Sequence, residues 1–313
     1  SGLYKGQHPY HIAAYETGND ADETITSTDT GTHMEAFEGG NTITGTSGNN
    51  HITSGGGADT IAVTSGHNTI SAGAGANTIT ATLGDNVITS GDGADTITVT
   101  SGDNTINAGG GANTIVATSG INVINTGDGA DTITTGGLTG GGNTINAGDG
   151  VNTITTGAGD DTITGGTGAD TITTGAGNDV VNAGNGANTV TTGSGNDIVY
   201  SGFDTDTITT GAGNEVINIK GGTDTIAAGA GNDTLIADFS LATGAVSINT
   251  LAGNVDAGYA GNISGLGIAT FAGVENFEIT SGGFDDVITT GDGNDVVHAG
   301  GGSDIVNLAG GAD

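Results

Sequence analysis

The residues best suited to chemistry in this sequence are carboxylates set at a constant spacing. Asp161, Asp179, Asp197, Glu215 and Asp233 lie 18 residues apart. A second series, offset by nine, runs Asp59, Asn77, Asp95, Asn113, Asp131, Asn152, Asp170, Asn188, Asp206 and Asp224. Asp286, Asp295 and Asp304 resume the pattern near the C-terminus, whereas the first series begins with amides, Asn50, Asn68, Asn86, Asn104, Asn122 and Asn143. Acids this abundant form pairs anywhere, so their pairing carries almost no information about acid–base catalysis. Their charge is more informative. Thirty-five acids against Lys5 and Lys220 leave a formal net charge of −33. That charge opposes compaction unless cations neutralise it, so a divalent metal is the natural partner. It also repels phosphate backbones and anionic headgroups, which excludes nucleic acid and membrane surfaces.

Holding such a series in place requires a repeat. Apolar residues recur every nine positions from Ile25 and Met34 through Ile133, resume from Ile145 to Leu235 after a three-residue insertion near Gly140 to Gly142, and return as Ile288, Val297 and Val306. Each unit reads as a turn and then a short strand such as Thr96-Ile97-Thr98. Strand side chains alternate faces, so Ile97 points in and both threonines point out. One such strand buries too little to stand alone, so two repeats make one coil of 18 residues and successive coils stack. The 65 glycines serve turns where the chain needs φ > 0 or where carbonyls converge. The expected fold is all-β, a right-handed parallel β-roll (β-solenoid) with two nonapeptides per 18-residue coil, two parallel sheets around a thin Ile/Val core, and a β-rich insertion.

The fullest form of the motif is Gly165-Gly166-Thr167-Gly168-Ala169-Asp170 before Ile172, with close variants at 156–161, 174–179, 192–197 and 299–304. Tandem copies in one phase resemble the RTX (repeats-in-toxin) calcium-binding β-roll family. The resemblance implies several calcium ions held between stacked turns by glycine-loop carbonyls and by the sixth-position carboxylates of turns one coil apart, an oxygen-only set that suits a hard cation. The implied metal residues are Asp59, Asp95, Asp131, Asp161, Asp170, Asp179, Asp197, Asp206, Glu215, Asp224, Asp233, Asp286, Asp295 and Asp304. The two edges of the roll differ, however. Asparagine offers an amide oxygen without charge and can stack in a hydrogen-bonded ladder. The turns Thr64-Ser65-Gly66-His67-Asn68, Thr82-Leu83-Gly84-Asp85-Asn86 and Thr100-Ser101-Gly102-Asp103-Asn104 also lack the early glycine. Few or no calcium ions are therefore expected from Asn50 to Asn122, with loading concentrated from Asp161 to Asp233 and in the terminal repeats, and weaker on the alternating edge.

Four segments follow. Residues 1–22, with Pro9 and several tyrosines, read as an N-terminal cap or the end of a preceding domain, residues 23–236 as the roll, 237–282 as a non-repeat β-rich insertion packed on it, and 283–313 as further repeats. The stop partway through a repeat suggests a region of a longer protein. His8 and His11 lack a third ligand for zinc and read as part of the cap. Cysteine is absent, so disulfides cannot supply stability, and no apolar run is long enough to span a membrane.

The function this pattern favours is a structural or adhesive extracellular segment of surface-layer, adhesin or toxin-tail type, a non-enzyme that folds on calcium after type I secretion. Its partners would be calcium, other copies of itself in a lattice or filament, or cell-surface glycans. An alternative comes from outward threonine pairs: Thr24 with Thr26, Thr42 with Thr44, Thr78 with Thr80, Thr96 with Thr98, Thr132 with Thr134, Thr153 with Thr155, Thr171 with Thr173, Thr189 with Thr191, and Thr207 with Thr209. These pairs share one sheet and resemble the face of ice-binding Thr-x-Thr solenoids. The opposing consideration is that threonine favours strands in any case. A polysaccharide-acting enzyme fits least, because the chain has no arginine and two lysines to bind an acidic sugar.

Overall fold

A computed structural model describes residues 15–17, 21–136 and 141–313. Most of the expected cap, with His8, Pro9 and His11, and Gly140 of the expected insertion lie outside the described residues. The chain divides into two compact units, Ser1–Gly157 and Ala158–Asp313. No described residue is helical.

The N-terminal unit is a parallel β-solenoid whose strands pair at a spacing of 18, as Thr96–Val99 does with Thr78–Ala81 and Thr114–Ala117. One sheet carries the threonine strands from Thr24–Thr30 to Thr153–Thr155, and the other runs from Tyr15–Thr17, which pairs with His33–Glu35, to Thr144–Asn146. The period-nine isoleucines fill the interior, and Ile43, Ile79, Ile97 and Ile115 are fully buried. Burying each contributes about 1.5–3 kcal/mol. Several threonine-sheet strands run to a fourth residue instead of the expected three, so a second inward position, Val63, Ala81, Val99 and Ala117, joins the core. The extra residue turns inward because the alternation continues for as long as the backbone stays extended.

Coil stacking explains the turn glycines. Gly75 has φ +121°, and a Cβ there would run into the carbonyl of Gly57 one coil earlier. Gly177 repeats this in the C-terminal unit with φ +146°, its hypothetical Cβ striking the carbonyl of Gly159. At both positions only glycine fits the backbone angle and the approach of the next turn.

The C-terminal unit has the same construction up to Thr225–Ala227 and Thr234–Asp238. The segment that breaks the period then enters both sheets. Ser247–Asn254, Gly258–Ser264 and Ile268–Val274 form an antiparallel meander. Its last strand also pairs in parallel with Thr225–Ala227, which sets Phe271 beside Ile226, and Asn276–Thr280 pairs with Thr234–Asp238, which sets Phe277 beside Leu235. Residues 268–280 thus build a coil whose core is aromatic, with the Phe271 and Phe277 rings edge-to-face at 5.2 Å. Beyond it, Val287–Thr289 pairs with Ile305–Asn307, and Val296–His298 pairs with Asn276–Thr280.

Candidate functional site

The turn that precedes each strand delivers the sixth-position side chain to the inner side of the coil edge. In the C-terminal unit this side chain is usually an acid, and in the aspartates Asp179, Asp197, Asp206, Asp224 and Asp233 one oxygen caps the backbone of the coil before it. The Asp161 N–H donates to Asp179 Oδ1 at 2.8 Å, Asp179 N–H to Asp197 Oδ1 at 2.9 Å, and Glu215 N–H to Asp233 Oδ1 at 2.9 Å. On the other edge Asp170 N–H donates to Asn188 Oδ1, Asn188 N–H to Asp206 Oδ1 and Asp206 N–H to Asp224 Oδ1, each at 2.9 Å. Near the C-terminus Val246 N–H donates to Asp286, Asp286 N–H to Asp304 and Phe277 N–H to Asp295.

The second oxygen is the chemically distinctive atom. Oδ2 of Asp179, Asp197, Asp206, Asp224, Asp233, Asp286 and Asp295, and both carboxylate oxygens of Glu215, are buried without a hydrogen-bond partner. Leaving a charged oxygen buried and unpaired is strongly unfavourable, and burial raises the carboxyls of Asp179, Asp206, Glu215, Asp224, Asp233 and Asp295. Burial pushes the Asp206 carboxyl up to about 6, and burial with the neighbouring Asp206 charge pushes Asp224 up to about 7. Asp179 is raised by burial and then by Asp161 and Asp197, while Glu215 is raised by burial and by the adjacent Asp233 carboxyl. Among the described residues no three acidic or histidine side chains converge on one point. A cation held here would therefore draw on backbone carbonyls as well as carboxylates. Unpaired carboxylate oxygens among stacked glycine carbonyls fit a hard divalent ion.

The corresponding edge of the N-terminal unit is built differently. Asn68 Oδ1 accepts both the backbone N–H and the Nδ2 of Asn50, at 2.9 and 2.8 Å. The pattern repeats from Asn68 to Asn86, Asn86 to Asn104, Asn104 to Asn122 and Asn122 to Asn143. Each Nδ2 also donates to the glycine carbonyl two residues back, at 2.8 Å for Gly66, 2.6 Å for Gly84 and 2.7 Å for Gly102. The amide nitrogen thus sits between its own turn's carbonyl and the next coil's side-chain oxygen, and it satisfies both without charge. The unit's other edge alternates. Asn77 Nδ2 donates to Gly75 O at 3.0 Å and Asn77 N–H to Asp95 Oδ1 at 2.7 Å, while Oδ2 of Asp59, Asp95 and Asp131 is buried without a partner.

Three features escaped the sequence reading. A second ladder at the fifth position runs in the opposite direction: Asn178 N–H donates to Asp160 Oδ1, Asn196 N–H to Asn178 Oδ1 and Asn214 N–H to Asn196 Oδ1, at 2.7–2.8 Å. In the N-terminal unit it carries charge, with Asp85 N–H to His67 Nδ1, Asp103 N–H to Asp85 Oδ1 and Ile121 N–H to Asp103 Oδ1. The signal for this ladder is the same 18-residue period read one residue earlier. Glu275 is buried and accepts the Asp233 N–H at 2.7 Å, continuing the acid column across a gap of 42 residues. Its only cue is the return of an apolar-acid-amide-aromatic string at Val274–Phe277. Asp313 accepts the Asp295 N–H at 3.1 Å.

The outward threonines of the N-terminal unit form two columns on one sheet. Thr24, Thr42, Thr60, Thr78, Thr96, Thr114, Thr132 and Thr153 are all exposed and in register. The second column, Thr26, Thr44, Thr80, Thr98, Thr134 and Thr155, is interrupted by Ala62 and Val116. In the C-terminal unit Thr171, Thr189 and Thr207 are exposed and in register in the first column. Beside them Thr173, Thr191 and Thr209 are in register in the second column, with Thr173 half-buried and Thr191 and Thr209 exposed. Ala227 follows Thr209 and ends that column, so the paired array is shorter there than in the N-terminal unit.

Against known proteins, the family model described as the RTX calcium-binding nonapeptide repeat (4 copies) matches the chain over and over, together covering residues 35–137, 139–239 and 280–313. No curated protein matches it.

Proposed function

The chain belongs to the RTX calcium-binding nonapeptide repeat family, and from that premise we propose that it is an extracellular structural or adhesive roll whose folding is driven by calcium unevenly along its length. The observation that carries this reading is the row of buried carboxylate oxygens without partners in the C-terminal unit. Asp161, Asp170, Asp179, Asp197, Asp206, Glu215, Asp224 and Asp233 would hold calcium there together with turn carbonyls, and Asp286, Asp295 and Asp304 would do so in the terminal repeats. Asp59, Asp95 and Asp131 would hold it more weakly, as would Asp170, since each stands between uncharged amides. Bound calcium would supply the positive charge that lets these acids stay ionised while buried. The acids in turn orient the backbone: Asp179, Asp197, Asp206, Asp224 and Asp233 each cap an N–H of the preceding coil, so closing one turn prepares the next.

Folding then follows the calcium concentration. Where calcium is scarce, mutual repulsion among 35 acids holds the chain open, and where it is plentiful binding free energy becomes folding free energy. That behaviour suits a protein exported unfolded and assembled outside the cell, in a scaffolding rather than catalytic role. Circular dichroism and light scattering across a calcium titration test it. A cooperative gain of β-structure with compaction is expected, and a chain equally folded in excess chelator would overturn the reading.

Ice binding is a second reading, favoured by the unbroken column of exposed threonines in the N-terminal unit, whose neighbours stand about 4.8 Å apart. Thermal hysteresis or ice shaping by the folded protein supports it, and absence of both removes it.

A further inference from the structure

On the C-terminal unit's second sheet, one outward column reads Thr164, Asn182, Tyr200 and Asn218, each in register with the next. These residues form the floor of an open groove of about 380 Å³ whose side is built by Phe203 and Lys220. Its composition departs from the rest of the molecule. Tyr200 is 42% exposed and Phe203 51% exposed, although burying an aromatic ring is strongly favourable. Lys220 is the one lysine among the described residues, and its Nζ stands 5.6 Å from the Phe203 ring centroid.

The amides of the groove are free to act. In the N-terminal unit the equivalent column pairs its amides internally, with Asn125 Nδ2 donating to Asn107 Oδ1 at 3.1 Å. Tyr200 stands between Asn182 and Asn218 and prevents that pairing, and the side-chain amides of Asn182, Asn185 and Asn218 bond to no other protein group among the described residues. Each amide offers two donors and an acceptor. The groove thus combines a flat, half-apolar ring with flanking groups that both give and take hydrogen bonds, at an inter-coil spacing of ~4.8 Å that is close to the length of one pyranose ring. A sugar has the complementary surface, an apolar C–H face and a rim of hydroxyls.

Charge narrows the ligand. The chain's formal net charge is −33, Asp204 follows Phe203 directly, and Asp238 lies 18 residues, one coil, beyond Lys220. Lys220 already lends part of its charge to Asp238. An anionic glycan would be repelled, whereas a neutral one would not.

We propose that this groove binds a neutral oligosaccharide, with a pyranose stacked on Tyr200 and its hydroxyls taken by Asn182, Asn218 and the Lys220 ammonium. The inference goes beyond the calcium reading but needs the unit folded, so it is tested on the full chain in saturating calcium, with circular dichroism confirming the fold. Cellohexaose, maltohexaose, mannohexaose, chitohexaose and oligogalacturonate are titrated by isothermal calorimetry and saturation-transfer NMR. At least one neutral sugar is expected to bind, Tyr200→Ala to weaken it by roughly tenfold or more, and Asn182→Ala and Asn218→Ala by roughly threefold to tenfold each. The calcium midpoint of all three variants should match that of the parent chain, because these side chains face outward. If no neutral sugar binds the folded protein, if binding survives Tyr200→Ala unchanged, or if oligogalacturonate binds instead, the proposal fails. A chain that does not fold in calcium would count against the calcium reading, and a folded chain blind to sugars against this one.

Discussion

From Asn50 to Asn143 the inner position of the first edge in the N-terminal unit is an amide, and from Asp161 to Asp233 the matching position in the C-terminal unit is an acid. The turns around them share a left-handed glycine two residues before that position, Gly84 and Gly102 in one and Gly177 and Gly195 in the other, although the amide turns lack the earlier glycine of the acid turns. In both, the side-chain oxygen accepts the N–H of the coil before it. At the inner position itself the difference is one group. An NH₂ at the end of the side chain reaches the carbonyl of its own turn and the oxygen of the next coil, whereas the oxygen there in Asp179, Asp197 and Asp233 is buried without a hydrogen-bond partner. The comparison teaches that one nine-residue backbone can close its own edge or leave that edge to a cation, according to whether the terminal atom donates or accepts. The fifth-position ladder shows a related exchange, with His67, Asp85 and Asp103 beside the amide column and Asn178, Asn196 and Asn214 beside the acid column. Asparagine thus predominates in one of the two ladders on this edge in each unit, with Asp160 the acid that begins the C-terminal one.

Calcium removal should break the comparison most visibly. Hydrogen exchange after chelation is expected to strip protection from residues 162–238 while residues 51–126 keep a larger share of theirs. Equal loss in both would mean that the asparagine ladder adds no independent stability.

Exchanging the two chemistries sharpens it. Asp197→Asn should raise the calcium concentration needed to order the C-terminal unit by about tenfold, since a charged ligand is lost. Asn86→Asp should lower chelator-state stability by about 1–3 kcal/mol, because it removes two donated bonds and turns an oxygen toward Gly84 O and Asn104 Oδ1. Urea melts with and without calcium measure both, and recovery of Asn86→Asp by added calcium would show that a metal site had been made from a ladder.

A gentler effect is expected from pH. Asp206 and Asp224 start from 3.8 and are raised on folding to about 6 and about 7. For an acid whose folded value is raised, the stabilising contribution is complete below the unfolded value and disappears as pH rises through the folded one. The calcium-free C-terminal unit should therefore be most ordered near pH 4 and lose order up to about pH 7, while the amide ladder, which has no titrating group, shows no such trend. Circular dichroism of the chain in chelator across that range, with exchange mapping to separate the units, checks the difference. A flat profile over residues 162–238 would remove the buried-acid account.

Much of this was legible in advance because it depends on spacing. The apolar period gave the coil length, and the paired strands Thr78–Ala81 and Thr96–Val99 keep that register residue by residue. Reading every second repeat separated Asn86 from Asp95 and placed them on different edges. Other features were not legible. Glu275 reaches its column only because Asn276–Thr280 returns to pair with Thr234–Asp238, and no local period announces a return across so many residues. Phe271 and Phe277 fall in the segment read as a non-repeat insertion packed on the roll, yet they occupy the roll's own core positions beside Ile226 and Leu235.

The sequence by itself therefore determined the repeat, the inward isoleucines and the division between amide and acid edges, since a constant period in a strand-turn chain dictates which side chains stack. Only the tertiary structure decided that the asparagine Nδ2 bridges one coil's carbonyl to the next coil's oxygen, that Asp179, Asp197 and Asp224 keep an oxygen unpaired, and that Tyr200 parts two amides over a groove. Those outcomes depend on distances of a few ångströms between residues a coil or more apart, and such distances exist only once the coils have stacked.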